Sequence, residues 1–469
     1  MKVGYGWILL FSAARAFWIP PTRHTSPHRL ISLISGSVSG TSVFANNAGV
    51  YVHIPFCRRR CRYCDFAIVP VGSEDRTGFA HLNDQYTTAL LHEITHHPSA
   101  NLNHTITSIY FGGGTPSLAP ISTLRAIFEK LYEQFHVAPD CEITIEMDPG
   151  TFDFAKATAL RDMGFNRISL GVQSFNDTIL ESLGRIHRKI DVMNALQILQ
   201  KVWGDDLNYS MDLISGLPGL SVAEWVNTLE NVIHLQPRPN HLSLYDLQVE
   251  PGTVLGRWYS DSITKSTSSS SSSSLVTTLS LPSDEEASFM YKYASGYLRY
   301  YGYEHYEVSS YATPGHQSQH NQVYWAVDGE WYAFGLGATS HVKGQLVARP
   351  RTMADYLKWV YEPAVSLPSP TSWQDRLLDI VLKRLRTKEG LSLPWIGETF
   401  GSNYQNAIRR GAELGVDLAL AHLDEEHGIL TLTDPHGLLF SNSIISTIFA
   451  ELENLPEWST VKENQKTAV

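Results

Sequence analysis

Two periods of apolar and polar positions alternate along most of this chain. Short runs of β-branched and aromatic residues recur at 50–54, 108–112, 142–147, 167–172, 207–214 and 241–247, each the length of a strand. Between them apolar positions return every three to four residues, at 83–96, 121–136, 154–163, 191–203 and 222–236, which predicts amphipathic helices. Strands alternating with helices predict an α/β fold whose sheet is parallel and flanked by helices. Six such units suggest a six-stranded partial barrel, with an open doubly wound sheet as the alternative.

The pattern changes after residue 260. Residues 261–283 form a Ser-rich insertion with seven consecutive serines, 268–274, which has no apolar surface to bury and reads as a flexible loop. A helix is expected over 284–301, capped near Ser283, followed by a strand at 303–308. Helical periods return at 373–385, 395–400, 404–414 and 442–455, with part of a small hairpin at 429–433 and 435–438. Helices plus a hairpin predict a winged-helix-like unit. The expected division is therefore a leader over 1–46, a barrel over 47–260, the insertion over 261–283, an α+β extension over 284–365, the helical unit over 366–455 and a polar tail over 456–469.

Each barrel strand runs into a chemically loaded turn: HIPFC, FGGGTP, EMDPG, GVQSF, DLISGLPG and DLQVEPGT. In parallel α/β folds the ligand site lies at the carboxyl ends of the strands. Six such turns on one rim predict a binding or catalytic cup. In the second turn, Gly113, Gly114 and Thr115 let backbone amides approach an anionic group that Cβ atoms would exclude.

The first turn carries three of the four cysteines, Cys57, Cys61 and Cys64, spaced C-x3-C-x2-C. Thiolates gathered in this way suit an iron–sulfur cluster or zinc. A closed structural zinc site needs four ligands, and no second C-x2-C or H-x3-H completes one. His53 is a conceivable fourth ligand, but its strand is expected to point it away. Three thiolates on a four-iron cluster would leave one iron open to a small molecule. Arg58, Arg59, Arg60 and Arg62 are expected to lower the thiol pKa values and to offset an anionic cluster.

This spacing resembles the radical S-adenosylmethionine (SAM) superfamily. The words YVHIPFC and CDF are similar to the branch holding the oxygen-independent coproporphyrinogen III oxidase HemN and the heme chaperone HemW. The resemblance implies a [4Fe–4S] cluster on Cys57, Cys61 and Cys64, with SAM on the open iron. It places Tyr51 beside the cluster and the Gly113–Thr115 turn on SAM's amino group. It sets Glu146 and Gln173 on the SAM ribose, Arg185 of LGRIH on its carboxylate, and Asp212 toward the adenosyl group. In His320-Asn321-Gln322-Val323-Tyr324-Trp325 the HNxxYW word matches the HemW branch, and His320 beside aromatics is the candidate to ligate heme iron or stack on a porphyrin.

Two activities fit the resemblance. A HemW-like chaperone would bind heme and pass it to hemoprotein acceptors. The oxidase would use SAM and an electron donor such as a ferredoxin or flavodoxin to decarboxylate coproporphyrinogen III. Its loop carries a fourth cysteine two positions after the third, where this chain has Phe66, so the chaperone is the preferred reading.

Charge narrows the partners and the compartment. With 36 cations against 47 acids and no basic block beyond the cysteine loop, nucleic acid is not an expected partner. Lys2, Arg15, Arg23 and Arg29 are the four cations of residues 1–46, which hold no acid. The remainder therefore carries 32 cations against 47 acids, a net −15. Lys2, the apolar run 7–11 and Ala14-Arg15-Ala16 read as a short signal with a cleavage site, and 17–46 as an acid-free transit segment. Together they resemble the two-part plastid presequence of algae with complex plastids, with a mitochondrial or simple chloroplast transit peptide as the alternative. The apolar run is too short to cross a membrane, and no span is expected in the mature chain.

Overall fold

Six parallel strands carry the fold: β1 (Asn47–Ile54), β2 (Thr105–Gly113), β3 (His136–Met147), β4 (Arg167–Gln173), β5 (Tyr209–Ser215) and β6 (His241–Asp246). They are hydrogen-bonded in that order. The computed structural model describes residues 47–72, 76–96, 104–265, 279–362 and 371–458. The leader and residues 266–278 of the serine insertion lie outside the described residues.

The sheet does not stop at six strands. β7 (Glu304–Glu307) and β8 (Ser310–Ala312) extend it antiparallel beyond β6. β9 (Glu330–Phe334) joins the other edge parallel to β1, and β10 (Thr339–Val342) and β11 (Gln345–Ala348) follow antiparallel. The result is eleven strands in one sheet. The added strands are short, and β9 pairs with β1 across 282 positions of chain, from Ala48 to Glu330, a relation that local periodicity does not carry.

Side-chain alternation divides the barrel into an apolar jacket and a polar lumen. Val50, Val52, Ile109, Phe111, Ile143, Ile145, Ile168, Leu170, Met211 and Leu242 are buried in the main core under the helices. The intervening residues form a second set. In register, Tyr51 lies beside Tyr110, Glu146 beside Ser169, Gly171 beside Asp212, and Asp212 beside Ser243. These residues hydrogen-bond to one another within the lumen, as Ser169 Oγ does to Asp212 Oδ2 at 2.7 Å.

The jacket helices follow ordinary capping chemistry. The helix Phe154–Met163 begins where Asp153 accepts from the Lys156 amide and ends at Gly164, whose φ of 108° suits glycine. Asp284–Tyr300 opens with a reciprocal box between Ser283 and Glu286. The first helix, Arg76–His96, starts earlier than its apolar period suggests.

A separate core lies beyond residue 372. Helices Trp373–Arg384, Leu393–Phe400, Ser402–Asp417 and Ser441–Glu453 pack around Leu377, Ile380, Ile396, Ile408 and Ile448. The strands Leu391–Ser392, Ile429–Leu432 and Ala421–Asp424 form their small antiparallel sheet. Asp434 ties this unit to the barrel side: it accepts from Ser295 Oγ at 2.7 Å and pairs with His305 Nδ1 at 2.8 Å and Arg299 at 3.3 Å. No described helix is long and apolar enough to cross a membrane.

Candidate functional site

The cysteine loop leaves the carboxyl end of β1. Residues Phe56–Cys57 pair with Val69–Pro70, which closes the loop at its base. Its arginines direct their donors to backbone carbonyls. Arg60 donates to Phe66 O at 2.9 Å and Ile68 O at 3.1 Å, Arg59 to Arg185 O at 2.7 Å, and Arg62 to Ser182 O at 2.6 Å while lying over Trp258. By charge alone they are expected to lower the thiol pKa values. Arg60 acts on Cys64 in that direction, but burial outweighs it and pushes Cys64 up to about 11 and Cys57 up to about 12. The arginines also shape the loop, and a bound metal's own charge would favour the thiolates further.

Two side chains reach the sulfurs of Cys57 and Cys61, and the Phe66 amide hydrogen-bonds Cys64. Thr115 Oγ1 lies 3.5 Å from Cys57 Sγ, and Arg185 Nη1 lies 3.7 Å from Cys61 Sγ. His53 stays out, as expected, because Nε2 lies 2.8 Å from Ala67 O and Nδ1 3.0 Å from the Tyr51 hydroxyl. Among the described residues no three His, Cys, Asp or Glu side chains converge on a single ion-sized point. A cubane cluster binds each thiolate to a different iron, so its ligands stand wider apart, and three thiols in one loop fit that donor set.

The second turn rises from β2 beside the loop. Gly113 has φ of 116°, and a Cβ there would fall 2.5–2.8 Å from the His53 ring. A Cβ on Gly114 would meet the Pro55 carbonyl at 2.7 Å. The Gly113 amide donates to Glu146 Oε2, and the Tyr110 hydroxyl donates to Oε1, both at 2.9 Å. Burial raises Glu146 to about 7 despite these two donors, with the nearby Asp212 adding to the rise. Asp212, held by Ser169 and by Ser210 at 3.1 Å, is also raised by burial. Gln173 sits on the same rim with φ of 65°, a left-handed conformation rare for its type.

Arg185 is buried and multiply bonded. Nη2 reaches Asp148 Oδ1 at 2.5 Å and Gly171 O at 2.9 Å, leaving Nε without a protein partner. Asp148 was legible only as part of the EMDPG word. It lies just past the end of β3, two residues after Glu146, so strand alternation gives both acids the same face. Phe66 is partly exposed, at 42%.

His320 lies elsewhere. It belongs to the helix Gln319–Trp325, which packs at the amino-terminal end of the lumen, opposite the rim. Its backbone amide donates to Glu142 Oε1 at 3.1 Å, its Nδ1 lies 2.9 Å from Ser108 Oγ, and its Nε2 lies 2.8 Å from the Tyr324 hydroxyl. The ring is 2% exposed, and burial lowers its pKa to about 3. Both nitrogens are engaged within the protein, so His320, the candidate to ligate heme iron or stack on a porphyrin, has no ring nitrogen left over in this structure. Tyr110 and Ser108, which the sequence reading did not single out, connect His320 to the rim.

The Radical SAM superfamily signature matches residues 51–232. A Synechocystis protein named Heme chaperone HemW is 34% identical over 88% of this chain and 99% of its own length. The chain belongs to the HemW family. A bovine relative, named the mitochondrial Radical S-adenosyl methionine domain-containing protein 1, is 33% identical over 63% of this chain and 60% of its own. The solved structure of coproporphyrinogen III oxidase HemN from Escherichia coli superposes with a TM-score of 0.69, covering 86% of this chain and 89% of that one, at 22% identity. It shares the fold with this HemW-family chain. The superfamily brings a [4Fe–4S] cluster and SAM, and the three-thiol loop beside the glycine turn suits both.

Proposed function

We propose that this chain is a heme chaperone, which binds heme and passes it to hemoprotein acceptors, with a [4Fe–4S] cluster on Cys57, Cys61 and Cys64. The observation that carries the reading is 34% identity over 88% of this chain and 99% of a relative named for that role. Phe66 in place of a fourth cysteine supports it over decarboxylation. The cluster, when bound and reduced, would supply an electron to SAM. The Gly113–Thr115 turn would receive SAM's amino group, Arg185 its carboxylate, Glu146 and Gln173 its ribose, and Asp212 its adenosyl group. Tyr51, in the lumen just below, would wall the same pocket. These assignments draw support from the way the six strands gather the residues at one end of the lumen.

The heme site belongs to this proposal without a named axial ligand, since His320 is engaged. An acidic one-electron donor such as a ferredoxin or flavodoxin would serve the cluster. The acid-free composition of residues 1–46 supports delivery to a plastid, and relatives named as mitochondrial supply the alternative. Fusing residues 1–46 to a fluorescent protein should direct it to an organelle, and a diffuse cytosolic signal would reject the leader. Heme transfer tests the main reading. Heme-loaded chain mixed with an apo-hemoprotein should give up its heme faster than an equal amount of free heme is taken up. No gain over free heme would reject the chaperone role.

A further inference from the structure

The HNxxYW helix occupies one end of the lumen and the cofactor turns occupy the other, yet one column of side chains joins them. On β2, inward positions follow as Ser108, Tyr110 and Gly112. Ser108 Oγ meets His320 Nδ1 at 2.9 Å. Above it the Tyr110 ring stacks on His320, with centroids 5.2 Å apart and planes 21° apart. Tyr51 closes the group, 6.1 Å from Tyr110 and 6.5 Å from His320, with its ring near parallel to both. The Tyr110 hydroxyl then donates to Glu146 Oε1.

The backbone makes room for this column. A Cβ on Gly49 would press on Ser108 Oγ and the His320 ring at 3.1–3.2 Å. A Cβ on Gly112 would fall 2.8 Å from Tyr110 and 3.0 Å from both Tyr51 and Glu146 Oε1. Glycine at these two places lets three rings and a carboxylate share one narrow column. His320 is itself held from four directions: by Ser108, by Tyr324, by Glu142 through its amide, and by the rings above it. A ring fixed in this way has a single orientation to offer the Tyr110 face.

We propose that His320 is a positioning residue of the cofactor pocket: from the floor of the barrel it holds Tyr110 so that the tyrosine hydroxyl fixes Glu146. This rests on the reading of Glu146 as a contact for SAM. Without His320 the Tyr110 ring loses its lower wall, and the hydroxyl no longer has one place to stand. Glu146 keeps the Gly113 amide but loses half of its fixed donors.

A double-mutant cycle on the full-length, anaerobically reconstituted chain tests this, read as SAM affinity by equilibrium dialysis without heme. Cluster absorbance serves as the folding control. A hydrogen bond to a carboxylate contributes about 1.5–3 kcal/mol, so Tyr110→Phe, which keeps the ring, should weaken SAM about tenfold or more. His320→Ala should weaken it by a similar factor, and His320→Phe, which restores a stacking ring, should recover part of that loss. The double variant His320→Ala/Tyr110→Phe should bind no worse than about the weaker single variant, because both changes cut one chain of contacts. Unchanged affinity in a cluster-bearing His320→Ala chain, or fully multiplicative losses in the double variant, would overturn the proposal. If His320→Ala does not assemble, His320→Leu, which keeps bulk but offers no stacking ring, takes its place in the cycle. Wild-type chain that binds no SAM would overturn the reading of the pocket, and the positioning role with it.

Discussion

Arg185 Nη2 stands 2.5 Å from Asp148 Oδ1, and the same guanidinium turns Nη1 toward Cys61 Sγ at 3.7 Å. One buried cation thus links the acid at the end of β3 to the cysteine loop of β1, with Arg59 bonded to the Arg185 carbonyl behind it. Desolvation works against the charged guanidinium, but the Asp148 carboxylate outweighs it and holds the Arg185 pKa above its usual value.

Removing that acid should destabilise the chain. Asp148→Asn leaves a buried guanidinium with weaker acceptors, which costs about 2–4 kcal/mol when one partner of a buried pair is lost. Urea unfolding of the metal-free protein gives the number. A change below the measurement error would mean that Asp148, whose side chain is 28% exposed, already shares its charge with water.

Acid should loosen the fold through its buried histidines. Burial lowers His53 and His187 to about 4 and His320 to about 3, below the usual 6.5. A histidine with a depressed folded pKa contributes stability that is complete above the unfolded value and lost as pH falls toward the folded one. Between pH 7 and pH 5 each should therefore forfeit roughly 2 kcal/mol. The urea midpoint at the two pH values measures it, and His320→Phe should flatten the dependence by one histidine's share.

Gly113→Ala should be poorly tolerated for two reasons that add. Its φ of 116° disfavours any Cβ, and the new methyl would enter the His53 ring at 2.5 Å. A loss of about 2 kcal/mol or more is expected from strain and overlap together, read as the urea midpoint. Gly114→Ala faces backbone at Pro55 rather than a side chain, so it has no neighbour that can turn away.

Much of the barrel could be read from the chain because its strands are long and loaded at one end. The runs at 142–147 and 167–172 fall within β3 and β4, and the helix at 154–163 matches in full. The site was legible where chemistry is local: three cysteines in eight residues and glycines in a row need no tertiary context. Two features were not. The arginines of the loop were assigned by charge alone, whereas the fold turns them to carbonyls that only the closed loop presents. His320 resembles a ligand because its neighbours are aromatic, but one of them, Tyr324, and Ser108 from another strand engage both ring nitrogens. Sequence proximity gives a side chain's company along the chain, and burial depends on company across the sheet.

The cysteines allow a direct check of the metal assignment. Replacing Cys57, Cys61 or Cys64 by Ala should remove the broad cluster absorbance of the anaerobically reconstituted protein. A triple variant that keeps a full [4Fe–4S] spectrum would reject these ligands, whereas loss with each of the three single changes supports all three.

The most direct measurement takes the reconstituted full-length chain with dithionite and SAM, and offers it heme in one cell and coproporphyrinogen III in another. Saturable growth of a heme Soret band, with no harderoporphyrinogen or protoporphyrinogen IX by chromatography, is the result expected of a heme chaperone with Phe66 at the fourth motif position. Decarboxylated porphyrinogen would contradict it and make this chain an oxidase.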